Sequence, residues 1–447
     1  MKTTDLGPAR MDRRRFLTMG ATAAAAGATG CVTNPVTGKS EFSLIGPDDE
    51  VRMDRTNAPH QISADYGVLL HPAVRSYVES VGQSLVAVCH RPGMPYSFRP
   101  VYASYINAYA FPGGTIVASR GILLELENEA QLAGLLGHEI GHVCARHTAK
   151  RMTSAIVTQL AVAGIAAAIE AKGHGNTAAV VAGLGAVAGG ALLARYSRDD
   201  ERQADALGME YMVKAGHNAE GMVGLMDILL RQEKHKPSAL EMMFATHPLS
   251  RERRDTAAER ARTTWAAGAG LPLGRERFMD ATAPLRPMKP IVAAVQRGDE
   301  SMARGNPGEA KPAYAAALAA GPEDYEALLK MAACCIALGR PGEGRPYAQR
   351  ARAAHPDEPQ ALHVLGMIAL LTRQPDQAHE HFVEYERRLP GNPATVFLDG
   401  LALERMGRRQ EAARRYLEFL QSGAQGDEAN HARHRLIEWG VIQPAAK

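Results

Sequence analysis

Net charge and cysteine are both scarce in this sequence, and each scarcity narrows its reading. The 51 Lys and Arg nearly cancel the 48 Asp and Glu, leaving a formal net charge of +3 over 447 residues. That balance gives no electrostatic reason to expect nucleic acid, and no strongly acidic surface either. Cysteines stand only at 31, 89, 144, 334 and 335, spaced neither as a zinc finger nor as a small disulfide framework. Adjacent Cys334 and Cys335 lie in an Ala-rich helical run and read as small buried apolar residues. Pairing of Cys89 with Cys144 stays open. Long apolar runs are missing too. Two uncharged Ala/Gly/Val/Ile stretches between Thr153 and Ala194 are broken by Glu170, Lys172 and His174. Each is shorter than the roughly 20 residues of a bilayer crossing. They favour a hairpin of buried helices over a transmembrane pair, with membrane-surface contact as the lesser alternative.

The chain does have enough length for two or three domains, and its 46% hydrophobic and 22% charged residues fit folded globular structure. Its start does not read as part of a fold. Arg13, Arg14 and Arg15, then Phe16 and Leu17, precede an uncharged Ala/Gly-rich stretch to Gly30. That order is a basic region followed by a short apolar one, and it resembles a twin-arginine export signal. Ala28-Thr29-Gly30-Cys31 resembles a lipobox, with Ala28 where Leu is usual, so lipidation of Cys31 is expected.

From Tyr96 to Ser119 short β-like runs rich in Tyr, Val and Ile flank a turn at Phe111-Pro112-Gly113-Gly114. Helical apolar spacing precedes them around His71 to His90, and follows from about Glu127. Arg195 to Lys214 reads as an amphipathic helix. Pro284, Pro287 and Pro290 then mark a stiff linker. Beyond it, Gly305, Gly339, Arg373 and Gly407 recur at a period of 34 residues, as do Ala310, Gly344, Ala378 and Ala412. Pro322, Pro356 and Pro390 keep the same period. So do aromatic Tyr314, Phe382 and Tyr416, with Ala348 as the exception. Small residues at helix crossings and a unit-ending Pro at this period are the tetratricopeptide signature.

His138-Glu139-Ile140-Gly141-His142 sits in the helical run. Residues four apart share a helix face, so both imidazoles reach one metal while Glu139 lies beside the open position. The motif needs a third ligand. Glu201 is the candidate, with Asp205 four residues later placed to receive a hydrogen bond from the back of a ligand imidazole. Taken alone, these carboxylates read first as a solvated face paired with Arg198 and Arg202; beside H-E-x-x-H the ligand reading prevails. His147, five residues past His142, falls off the metal face and reads as structural.

His138-Glu139-Ile140-Gly141-His142, Tyr196-Ser197-Arg198-Asp199-Asp200-Glu201 to Ala204-Asp205, and Thr246-His247-Pro248 together resemble one gluzincin family. It includes the CAAX prenyl endopeptidase and periplasmic β-barrel assembly-enhancing proteases. Asn34-Pro35-Val36-Thr37-Gly38, Asn107 to Gly114 and the C-terminal repeats resemble its bacterial branch. The resemblance implies one zinc per chain on His138, His142 and Glu201, with Glu139 as general base. It also implies that His247 faces the zinc, and that Arg253 helps hold the oxyanion. Without it, His247 reads as a loop histidine before proline.

The expected architecture is mainly α. An α+β catalytic domain with a small edge-exposed β-sheet around the H-E-x-x-H helix precedes an α-solenoid of tetratricopeptide repeats. The expected division is an export signal at 1–31, a zinc metallopeptidase domain at 32–282, a Pro-rich linker at 283–290 and repeats at 291–447. Asn107 to Ser119 is expected to be an edge on which an extended substrate pairs. The resemblance implies a periplasmic endopeptidase acting on unfolded or misassembled envelope proteins, its repeats docking clients or partners such as an outer-membrane assembly machine. A lipidated Cys31 would anchor it to the outer membrane, and the charge balance leaves no nucleic acid partner expected. A chaperone or adaptor with a latent site stays open beside this, as does an integral membrane peptidase. The presence of Glu139 favours the enzyme, because an adaptor has no use for the base.

Overall fold

The computed structural model describes residues 31–156, 195–235 and 247–443; the expected export signal to residue 30 and all of the expected helical hairpin of 153–194 beyond residue 156 lie outside the described residues. Strands β1 (Cys31–Thr33) and β2 (Ser40–Phe42) pair antiparallel, with Cys31 opposite Phe42. The turn between them follows from its sequence. Asn34 Oδ1 accepts from the Val36 and Thr37 N–H groups at 2.9 and 3.2 Å, an Asx turn, and Gly38 takes φ +67°.

Helix α1 (Pro47–Ala64) carries Pro59 internally and is largely polar, so apolar periodicity gives no sign of it. Two of its four buried residues, beside Ala58 and Ser63, are acids with fixed tasks. Glu50 binds Arg91 at 2.8 Å and Arg146 at 3.1 Å, and Asp54 accepts from Thr115 N at 2.9 Å and Thr115 Oγ1 at 2.6 Å. Helix α2 (Pro72–Val86) buries Val74, Val78, Val81 and Leu85. Three strands follow: β3 (Ser97–Val101), β4 (Ala108–Ala110) and β5 (Thr115–Ser119), in the order β3-β5-β4. β5 is parallel to β3 and antiparallel to β4. This corrects the expected edge. β5 is central, paired on both sides, and within 107–119 only β4 offers an unpaired edge.

Ser119 caps the short helix α3 (Arg120–Glu125), and Asn128 caps α4 (Glu129–Cys144), which holds the H-E-x-x-H motif and is buried along its whole length. Helices α5 (Arg198–Lys214) and α6 (Glu220–His235) pack against it, and α7 (Arg251–Arg262) packs on those two. After α8 (Arg275–Ala281), the proline-marked residues form a 3₁₀ helix, Ala283–Met288, with Leu285 fully buried, that leads straight into the repeats.

The repeats comprise α9 (Lys289–Ala303), α10 (Pro307–Ala320), α11 (Tyr325–Ala337), α12 (Pro341–Ala354), α13 (Gln360–Leu371), α14 (Pro375–Arg388), α15 (Pro393–Arg405) and α16 (Arg409–Gln421), closed by α17 (Asp427–Glu438). The 34-residue position at 305, 339, 373 and 407 is a left-handed turn residue, with φ +74°, +70°, +59° and +75°. Arg373 bears there the steric cost that glycine avoids. The aromatic exception also has a physical reason. A Cβ at Gly298 would come 2.3 Å from the Tyr314 ring, one at Gly366 2.3 Å from Phe382, and one at Gly400 2.8 Å from Tyr416. Each ring needs a facing glycine. In the second repeat Ala332 stands where the glycine would, and Ala348 replaces the ring opposite it.

The peptidase half and the first repeats share one apolar core, with Tyr102 against Tyr325 and His355 at ring-centroid distances of 6.1 and 6.0 Å. Glu358 also sits at this junction, accepting from Ser63 Oγ and, at 3.2 Å, from Gln360 N. Burial pushes its carboxyl up to about 7 against the lowering effect of those hydrogen bonds. A folded pKa above the unfolded value means that the native state keeps a proton that the unfolded chain has lost. Stability therefore falls as pH rises from about 4.5 to about 7, and the full penalty holds above that. Glu358→Gln is accordingly expected to stabilise the protein at pH 8, by up to roughly 3 kcal/mol, and to change little at pH 4. Urea denaturation at both pH values checks this; equal midpoints at pH 8 would mean that the junction tolerates the charged form.

Candidate metal centre

Two helices build the site, and small residues let them meet. Ideal Cβ atoms at Gly137 and Gly141 on α4 would lie 3.1 and 3.0 Å from the carbonyl oxygens of Gly208 and Ala204 on α5. A Cβ at Gly208 would lie 2.9 Å from the His138 nitrogen. Larger residues there would push the helices apart. Ser197 fixes the start of α5 with a capping box, accepting from Asp200 N at 3.1 Å while Asp200 Oδ2 accepts from Ser197 N at 3.1 Å. Glu201 then falls in the first turn, where an acid is favoured by the helix dipole.

The structure brings His138, His142, Glu201 and His247 together, all buried, with one donor atom of each within 4.8 Å of the others. His142 Nε2 lies 3.1 Å from His138 Nε2 and 3.3 Å from Glu201 Oε1. His247 Nδ1 lies 3.0 Å from Glu201 Oε1 and 3.4 Å from His138 Nε2. Behind His138, its Nδ1 donates to Asp205 Oδ1 at 2.9 Å, which leaves Nε2 with its lone pair toward the cluster. Arg253 Nε and Nη2 each reach an Asp205 oxygen at 2.7 Å, and Nη1 reaches Glu201 Oε2 at 2.6 Å and Pro248 O at 2.9 Å. In this arrangement Arg253 is a clamp on the two carboxylates; donating to an oxyanion would require it to release one of them.

Three further side chains complete the surroundings, and motif reading assigned none of them a part. Tyr196 stacks on His142, with centroids 3.8 Å apart and 26° between planes, and the Arg151 guanidinium lies 3.7 Å from the same ring's centroid. His147 Nδ1 lies 2.8 Å from His142 Nδ1, and its Nε2 lies 3.0 Å from Gln203 Oε1.

The charges are set by burial and by one another. Burial holds the Glu139 carboxyl above its ordinary range although His247 and His138 oppose this. It also drives the His142 imidazole well below its ordinary value, despite the hydrogen bond with Glu201. For Glu201 burial acts upward, but His247 and His142 outweigh it and hold the carboxyl well below its ordinary range.

This donor set fits zinc. Four ligands at the usual zinc–nitrogen and zinc–oxygen lengths stand about 3.4 Å from one another in a tetrahedron. The separations here run from 3.0 to 3.4 Å, with His138 Nε2 at 3.6 Å from Glu201 Oε2. Glu139 Oε2 and His247 Nε2 are buried with no hydrogen-bond partner. Beside them opens an apolar cavity of about 40 Å³, lined by Leu135, Met222, Leu225, Met226 and Leu229 opposite Glu139 and His247.

Paired imidazoles one turn apart, a glutamate from a second helix and an acid between them are the donor pattern found in gluzincin-type zinc peptidases. The comparisons agree: residues 72–261 match Peptidase family M48, and residues 301–368 match the tetratricopeptide repeat. The Beta-barrel assembly-enhancing protease of Escherichia coli (strain K12) is 28% identical over 233 residues, 51% of this chain and 47% of that protein. Its namesake in Yersinia pestis is 29% identical with the same coverage. Metalloprotease YcaL of Escherichia coli (strain K12) is 28% identical over 201 residues, 45% of this chain and 72% of that protein. The chain thus spans about half the length of the two beta-barrel assembly-enhancing proteases.

Proposed function

We propose that this chain is a zinc-dependent endopeptidase of the bacterial cell envelope that hydrolyses misfolded or stalled outer-membrane proteins, with its repeats docking clients or an assembly machine. The observation that carries this reading is Glu139, a buried carboxylate with a free oxygen beside four converging donors. His138, His142 and Glu201 would hold the ion. When bound, zinc supplies Lewis acidity, which lowers the pKa of water to about 7 and polarises a carbonyl. Glu139 accepts the proton of the attacking water and returns it to the departing amine. A carboxyl raised by burial suits both transfers. Asp205 orients His138, and Arg253 holds Asp205 and Glu201 in place. The β4 edge supplies backbone groups for an extended client, a mode indifferent to sequence. The apolar cavity favours an aliphatic side chain next to the cleaved bond.

The twin-arginine-like start and Cys31 support export to the periplasm and a lipid anchor on the outer membrane. Among the described residues no helix is long and apolar enough to cross a membrane.

His247 supports a self-restrained resting state, since its Nδ1 takes the place of a fourth donor. His247→Ala is expected to raise casein cleavage severalfold at equal zinc content. Unchanged or lower cleavage would remove the gating role.

A further inference from the structure

We propose that His147, just past the end of the H-E-x-x-H helix, is a positioning residue that fixes the proton of His142 and ties it to α5. This inference rests on the zinc-site reading above. His142 Nδ1 and His147 Nδ1 lie 2.8 Å apart, so one of them carries the hydrogen and the other accepts it. The far side of His147 decides which. Its Nε2 faces Gln203 Oε1 at 3.0 Å and Asp200 Oδ1 at 3.5 Å. A carboxylate accepts only, so Nε2 of His147 carries hydrogen and the neutral ring's Nδ1 is the acceptor. His142 therefore donates from Nδ1, and its Nε2 turns a lone pair toward Glu201 Oε1 and His138 Nε2. With the opposite tautomer His142 would point an N–H into the cluster, where it cannot bind a cation.

Burial makes the arrangement rigid. His147 is 1% exposed and His142 2%, and Tyr196 covers the His142 ring. Both metal-facing imidazoles are thus tuned from α5: His138 directly by Asp205, and His142 through His147 by Gln203 and Asp200. The same helix contributes Glu201. α4 ends at Cys144, and the turn through Arg146, at φ +58°, brings the His147 ring behind His142. Partners in that position typically change metal affinity 10–100-fold.

The test uses the full chain, with zinc affinity measured by competition against a chromophoric chelator and apo-protein folding followed by circular dichroism. His147→Leu removes the acceptor and is expected to weaken zinc binding about 10–100-fold with the apo fold retained. His147→Asn places Oδ1 where Nδ1 was and is expected to recover most of that loss. Affinity in His147→Leu equal to the parent's, or no recovery in His147→Asn when both are folded, overturns the proposal and reduces His147 to packing. If the parent itself binds no zinc, the zinc-site reading fails first, which separates the two failures.

Discussion

Glu139→Gln is expected to cut peptide hydrolysis by roughly 10²–10⁴-fold while leaving zinc content and thermal unfolding as in the parent. The prediction is sharp because Glu139 has so little structural work. Its Oε2 has no hydrogen-bond partner and its Oε1 lies 3.9 Å from His247 Nε2, beyond hydrogen-bond length. Burial disfavours the charged form, so a neutral amide of the same shape removes a disfavoured charge and leaves no partner stranded. Only proton transfer is lost, because an amide cannot take a proton from water at neutral pH. Casein digestion, zinc quantification and a melting curve on parent and variant check the three parts. Retained cleavage would place the base elsewhere. Lost zinc would mean that Glu139 holds the cluster together. A variant that cleaves nothing yet performs every cellular task of the parent would favour the adaptor reading.

The H-E-x-x-H helix, Glu201 and Asp205 were legible because their information is local: four-residue spacing on a helix puts side chains on one face whatever the rest of the chain does. The repeats were legible for a related reason. Each unit must solve the same packing problem, so Gly298, Gly366 and Gly400 against Tyr314, Phe382 and Tyr416 leave a periodic trace. Helix α1 left none, since Ala58 is its one buried apolar residue and the buried acids Glu50 and Asp54 find their partners, Arg91, Arg146 and Thr115, far along the chain. His147 stands outside the cluster of converging donors, as its spacing implied, but the spacing gave no sign of its contact with His142. Helical spacing says which face a residue shares; it does not say that a ring can support another from behind. His247 and Arg253 depended on the family resemblance, because His247 lies in a loop and Arg253 in the first turn of a largely polar helix, and no apolar period announces either. The central place of β5 was hidden because its parallel partner β3 is separated from it in sequence by β4.

Arg120→Met should destabilise the protein by about 3–5 kcal/mol at pH 8, the cost of breaking a buried ion pair. Arg120 is fully buried where α3 meets the repeats, and it is bound by both Asp324 and Glu326, the latter at 2.8 Å. Ser104 joins the network by donating to both Glu326 oxygens, at 3.1 Å from N and 2.5 Å from Oγ, and Gln296 Nε2 reaches Ser104 O at 2.8 Å. Without the guanidinium, two carboxylates would face each other in a dry interface. The loss should therefore shrink at pH 5, where one of them can take up a proton. Burial already raises the Glu326 carboxyl against the pull of Arg120, so removing that pull raises it further. The triple variant Arg120→Met, Asp324→Asn, Glu326→Gln should recover part of the stability at pH 8, since no charge then remains to be desolvated. Urea midpoints for the three proteins at the two pH values give the comparison. A loss below about 1 kcal/mol in the single variant at pH 8 would put this pair among weak surface contacts, and the junction would then rest on its apolar core alone.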